Sequence, residues 1–142
     1  MTSMRVLGLD VGDRRIGVAL SDALGLTAQP LTVLARQDAA RDLEAVRALV
    51  ERHEVERVIV GLPLTLRGAQ GPQAKKVASF ADILRRRLPV PIQLVDERLT
   101  SVQGERALIA MGSSRRKRKQ VIDQVAAQLI LQQFLDTQHH GS

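Results

Sequence analysis

The sequence predicts an α/β fold in which helices pack on the faces of a mixed β-sheet. Two short apolar segments come first, and the turn residues Gly12-Asp13-Arg14 between them favour an antiparallel hairpin. Further along the chain, the spacing of the apolar residues alternates between that of helices and that of strands. An antiparallel meander that is followed by β-α-β units is typical of a mixed sheet.

The first three elements are predicted to be strands. Residues 5–11 and 15–21 are short and rich in apolar side chains. Residues 26–34 form a third candidate strand that contains Pro30, which has no N–H group to donate within a sheet. We therefore expect this third strand at the edge of the sheet or in a β-bulge.

Helices and strands alternate after the meander. A first amphipathic helix is predicted within residues 38–55, and residues 57–63 form a short buried strand. A polar, glycine-rich loop follows the strand, and apolar residues from 77 to 88 mark a second amphipathic helix. Residues 90–97 are predicted to be a further strand, which gives the order β-β-β-α-β-α-β.

The last part of the chain is predicted to contain two helices joined by a basic loop. A short helix is expected between residues 100 and 112, after a capping-box pattern. Residues 113–120, SSRRKRKQ, are the basic loop, and an apolar stripe from residue 121 to residue 134 marks the last helix. We expect residues 136–142, with their two histidines, to be a frayed tail.

Composition restricts the class of protein. The 142 residues favour a single domain spanning residues 1–142, and neither a secretion signal nor an apolar run of membrane-spanning length is recognisable. Cysteine is absent, which fits the reducing cytoplasm. Lys and Arg number 21 against 15 Asp and Glu, so a nucleic-acid partner is favoured. Two Phe with no Trp or Tyr favour contacts to phosphate over base stacking.

Three carboxylates occupy unusual positions. Asp10 lies inside an apolar strand, Glu97 ends the strand at residues 90–97, and Asp123 borders the apolar stripe of the last helix. Each position has an ordinary explanation, such as a strand end or a helix first turn. Taken together, three carboxylates that converge repel each other, and a divalent cation removes that repulsion. Oxygen ligands without cysteine favour Mg²⁺ or Mn²⁺, and two such ions support phosphodiester hydrolysis.

Four motifs, in this order, resemble those of the YqgF family of RuvX-type proteins. They are GLDVGDRRIGVALSD, VIVGLPL, VDERLTS and VIDQVAAQLIL, and the resemblance covers roughly Arg5 to Leu135. The family is described as Holliday junction resolvases or pre-16S rRNA nucleases. The resemblance implies an RNase H-like fold, with a five-stranded mixed sheet of three antiparallel and then two parallel strands, flanked by helices.

The resemblance also implies roles for particular residues. Asp10, Glu97 and Asp123 match the catalytic, metal-binding acids of the family, which implies Mg²⁺ or Mn²⁺ in a two-metal site. Lys76 and Arg98 are candidate phosphate contacts, although a plain surface role is an alternative. The basic run ahead of Asp123 is a candidate nucleic-acid-binding element, and its cations are Arg115, Arg116, Lys117, Arg118 and Lys119.

Three functions remain open from the sequence. The first is a metal-dependent nuclease that acts on pre-rRNA or on branched DNA, as a monomer or as a homodimer, with ribosomal particles as a further partner. The second is a non-catalytic RNA- or ribosome-binding factor with the same fold. The third is a fragment of a sugar-kinase or actin-like ATPase, because LDVG followed by a hairpin resembles their phosphate-binding opening.

Overall fold

A five-stranded sheet forms the centre of the protein. The computed structural model describes residues 4–65, 67–97 and 115–140, with the side chains of the last range described from 123 to 138. The strands are β1 Val6–Val11, β2 Arg15–Ser21, β3 Ala28–Ala35, β4 Arg57–Leu62 and β5 Ile92–Asp96. Their order is β3-β2-β1-β4-β5, with antiparallel pairing from β1 to β3 and parallel pairing of β4 with β1 and β5. The predicted mixed sheet is confirmed.

Helices cover both faces of this sheet. They are α1 Ala39–Arg52, α2 Pro72–Arg87 and α3 Arg115–His140. Leu7 and Leu9 of β1 pack in one core with α1 and α2, whereas Val6 packs in a second core with α3. Because alternate residues of a strand point to opposite faces, α1 and α2 share one face and α3 covers the other. None of the described helices has the length and apolar character needed to cross a membrane.

Local sequence features explain several boundaries. The Asp38 carboxylate accepts a 2.8 Å hydrogen bond from the backbone N–H of Arg41, which caps the start of α1. Pro30 lies in β3, an edge strand, and the β2–β3 register shifts between Val18 and Ala19, opposite this proline. The prediction of an edge position or a bulge at Pro30 is therefore confirmed.

The basic segment differs from its prediction. Residues 113–120 were expected to form a loop, but from Arg115 onward they are the first turns of α3. Arg, Lys and Gln have high helix propensity, and neither Gly nor Pro interrupts the chain between Arg115 and His140. The helix consequently also includes residues 136–140, which were expected to fray. The short helix expected between residues 100 and 112 lies outside the described residues.

Candidate active site

Asp10 lies near the carboxyl end of β1, on the face that α3 covers. Val6 and Asp10 are an even number of residues apart, and Val6 packs against α3. The side chain of Asp10 is buried, with a residue exposure of 7%. A carboxylate in an apolar face is costly without a charged or hydrogen-bonding partner, and Asp10 does make such an interaction.

Glycines stand on both sides of Asp10 in the sheet. On one side, Gly17 of β2 is the antiparallel partner of Asp10. On the other side, Val60 of β4 pairs with Leu9, and Gly61 is the next residue of β4. A Cβ atom on Gly17 would lie 2.1 Å from the backbone oxygen of Asp123, and a Cβ atom on Gly61 would lie 2.9 Å from Oε1 of Glu97. The backbone of Asp123 therefore sits on one flanking glycine, and the carboxylate of Glu97 sits on the other.

The structure thus brings the three predicted acids to one region of the sheet. Glu97 directly follows β5 and has a residue exposure of 5%. Val95 packs in the core that contains the buried residues of α3. Because Glu97 lies two residues after Val95, it is placed on the same face of the sheet, the face that α3 covers. Asp123 is on α3, and the following residues Ala126 and Ala127 are buried against the sheet, as its helical spacing predicted.

Asp123 has a basic partner that the sequence analysis missed. The Nε group of Arg15 donates a 2.6 Å hydrogen bond to Oδ2 of Asp123, and the two side chains are 29% and 20% exposed. Arg15 begins β2 and lies two residues before Gly17, so strand alternation puts it on the α3 face. This alternation was the available signal, because it places Arg15 beside the predicted acids.

The donor atoms suit a hard divalent cation. All three acids offer carboxylate oxygens, which Mg²⁺ and Mn²⁺ prefer, and the flanking glycines keep Cβ atoms out of the space beside Asp10. In the part of the chain that is described, however, no three carboxylate or histidine side chains are close enough to form a ready metal-binding group. The chemistry of the residues fits a metal ion, and binding would require the acids to move closer together.

The predicted phosphate contacts are only partly described. Lys76 is exposed on α2, and its Nζ atom lies 3.5 Å from Oδ1 of Asp13, in the turn after β1. Both residues line a surface cavity of about 210 Å³ next to the end of β1. Residues 115–119 form the first turns of α3, ahead of Asp123. Arg98 lies outside the described residues.

Comparisons with known proteins identify the family of the chain. The profile of the RuvX family, described as Holliday junction resolvase, matches residues 4–137. A protein of Halothermothrix orenii named "Putative pre-16S rRNA nuclease" is 50% identical over 140 residues, which cover 97% of this chain and all of that protein.

Two solved structures resemble the fold. RuvC of T. thermophilus in complex with a Holliday junction substrate aligns with a TM-score of 0.62 and 20% identity, over 96% of each chain. The Holliday junction resolvase of fowlpox virus aligns with a TM-score of 0.55 and 12% identity, over 94% of this chain and 99% of that one. These likenesses confirm the RNase H-like architecture. Since the family profile and the 50% identical relative both span nearly the whole sequence, the chain belongs to the RuvX family.

Proposed function

We propose that this protein hydrolyses phosphodiester bonds of a structured nucleic acid at a site formed by Asp10, Glu97 and Asp123. The observation that carries the proposal is that Asp123 packs on Gly17 and Glu97 on Gly61, the glycines on either side of Asp10 in the sheet. Membership of the RuvX family supports the nuclease class. The choice of these three residues rests on the geometry and on the motif resemblance.

The proposed cofactor is Mg²⁺ or Mn²⁺, held by the carboxylates of Asp10, Glu97 and Asp123. Two such ions would supply an activated water and charge neutralisation at the leaving oxygen, which are the usual contributions of metal ions to phosphodiester hydrolysis. The oxygen-only donor set supports this proposal. Asp10 and Glu97 are buried, so their charges are only weakly screened by solvent and would attract a cation strongly.

The protein itself would position the substrate. Gly17 and Gly61 let Asp123 and Glu97 pack next to Asp10, and the reacting phosphate would bind at these carboxylates. Lys76, which is exposed, and the basic residues 115–119 at the start of α3 would contact neighbouring phosphates, as their charge supports. Such contacts carry little sequence information, so recognition would depend on the shape of the nucleic acid.

The preferred substrate class is precursor ribosomal RNA. Relatives with 46–50% identity over nearly the whole chain are named as pre-16S rRNA nucleases, which favours this class and a cytoplasmic site of action. The family description favours a four-way DNA junction as the second candidate. Junction cleavage on two strands would require a symmetric dimer, whereas trimming of RNA would proceed with a monomer.

A cleavage panel tests the proposal. The purified protein is incubated with a pre-16S rRNA fragment, a four-way DNA junction, a duplex and single strands, each with Mg²⁺, with Mn²⁺ or with EDTA. Asp10→Asn keeps the shape of the side chain but removes its charge, and it is compared with Asp82→Asn on the exposed end of α2. We expect cleavage only with a divalent ion, loss of cleavage in Asp10→Asn, and full activity in Asp82→Asn.

Two other results would contradict parts of this proposal. Cleavage that persists in a contaminant-free Asp10→Asn preparation would contradict the assigned site. Salt-sensitive RNA binding, with no turnover under any divalent ion, would instead identify a non-catalytic RNA-binding factor.

A further inference from the structure

Arg15 places a guanidinium on one of the proposed metal-binding acids. Its Nε atom lies 2.6 Å from Oδ2 of Asp123, which is the short distance of a charge-assisted hydrogen bond. The pair is 108 residues apart in sequence and joins β2 to α3.

The backbones on both sides of this pair are held in place. The carbonyl of Arg15 accepts a 2.8 Å hydrogen bond from the N–H of Gly12, which closes the β1–β2 turn. The backbone of Asp123 rests on Gly17, where even a Cβ atom would not fit. Rotation of the Arg15 and Asp123 side chains alone would be enough to exchange the partners at Asp123.

The arrangement that Arg15 stabilises is not one that binds a metal ion. With Asp123 turned to Arg15, no three acids of the described residues are close enough to share an ion. An ion and a guanidinium on the same carboxylate would also repel each other. The guanidinium of Arg15 on Asp123 therefore opposes binding of an ion by the same carboxylate.

We propose that Arg15 is a built-in counter-ion that competes with the divalent cation for the carboxylate of Asp123. The inference rests on the proposed function, because it assumes that Asp123 is a metal ligand. It makes Arg15 a positioning residue: it neutralises Asp123 when no ion is bound and weakens the affinity of the site for the ion.

The test measures Mn²⁺ affinity by calorimetry, without nucleic acid, so that activity plays no part in the readout. Arg15→Gln removes the competing group, and Arg14→Gln removes the same charge from the exposed neighbouring residue. We expect Arg15→Gln to bind Mn²⁺ about three- to tenfold more tightly than the unmodified protein, as loss of a partly exposed ion pair permits. Arg14→Gln should change the affinity by less than about twofold, because its charge is screened by solvent.

Two further variants separate the possible failures. Arg15→Lys keeps the charge but loses the Nε donor, so its affinity should lie between those of the unmodified protein and Arg15→Gln. This variant decides the question if Arg15→Gln does not fold. Unchanged or weaker Mn²⁺ binding in the Arg15 variants, with binding abolished by Asp10→Asn, would overturn the inference and leave the proposed function intact. Undiminished Mn²⁺ binding in Asp10→Asn would overturn both.

Discussion

Gly17→Ala tests how closely α3 must approach the sheet for the site to form. The added Cβ atom would lie 2.1 Å from the backbone oxygen of Asp123 and 2.6 Å from its carbonyl carbon, whereas ordinary contacts begin near 3.4 Å. The obstructing atoms belong to the backbone, so no side-chain rotation relieves the overlap. Either α3 or β2 must move by about 1.3 Å, with Asp123 displaced relative to Asp10.

The expected magnitudes follow from this displacement. Overpacking of a tight contact costs about 3 kcal/mol at the upper end of its usual range. For a chain of this length, that corresponds to a fall in Tm of roughly 10 °C. A misplacement of about 1 Å at a reacting centre costs on the order of 100-fold in rate. We therefore expect a folded but less stable protein with about 1% of the nuclease activity.

The assay combines thermal unfolding by circular dichroism with cleavage of the preferred substrate. Gly71→Ala is the matched control, because its Cβ atom would be 3.8 Å from the nearest atom, Cγ2 of Thr65, and its φ angle is −75°. The free energy of unfolding of this control should fall by no more than about 1 kcal/mol, as expected for a substitution at a helix N-cap position. Unchanged Tm and unchanged activity in Gly17→Ala would refute the close approach of α3 to β2.

Three further changes probe other parts of the site. In Gly61→Ala, the new Cβ atom would lie 2.5 Å from Cδ1 of Ile130 and 2.9 Å from Oε1 of Glu97, so both the Tm and the cleavage rate should fall; an unchanged cleavage rate would contradict the placement of Glu97. Arg36→Met removes the 2.8 Å partner of the buried Asp42 and should lower the urea-derived free energy of unfolding by about 3 kcal/mol; an unaffected midpoint would count against this ion pair. Lys76→Gln should reduce the slope of log binding constant against log salt concentration by about one unit in a nucleic-acid titration, and an identical slope would argue for a plain surface role.

The spacing of apolar residues was enough to predict the mixed sheet and the face of α3 that packs on it. Apolar runs and turn residues identified β1 and β2, and the missing N–H of Pro30 indicated an edge position or a β-bulge for the third strand. The burial of Ala126 and Ala127 followed from their helical spacing after Asp123. Each of these inferences depends on residues that are close in sequence, where local geometry determines which side chains share a face.

Long-range contacts were beyond this reasoning. Arg15 and Asp123 are paired across 108 residues, and no local pattern specifies the register that joins them. The basic segment was assigned to a loop because of its charge, but intrinsic propensity and docking of the following apolar residues favour continuation of the helix through residues 115–120. The proposed metal site, the phosphate contacts and the oligomeric state stay predictions.

The position of α3 after the strands has a consequence for synthesis of the protein. The first 97 residues contain every strand of the described residues, Asp10 and Glu97, whereas the face of the sheet at Gly17 is covered by the 26 residues of α3. A nascent chain that lacks α3 also lacks Asp123, and its α3 face is exposed to solvent. On the proposed assignment, a nascent chain is inactive until translation has passed α3.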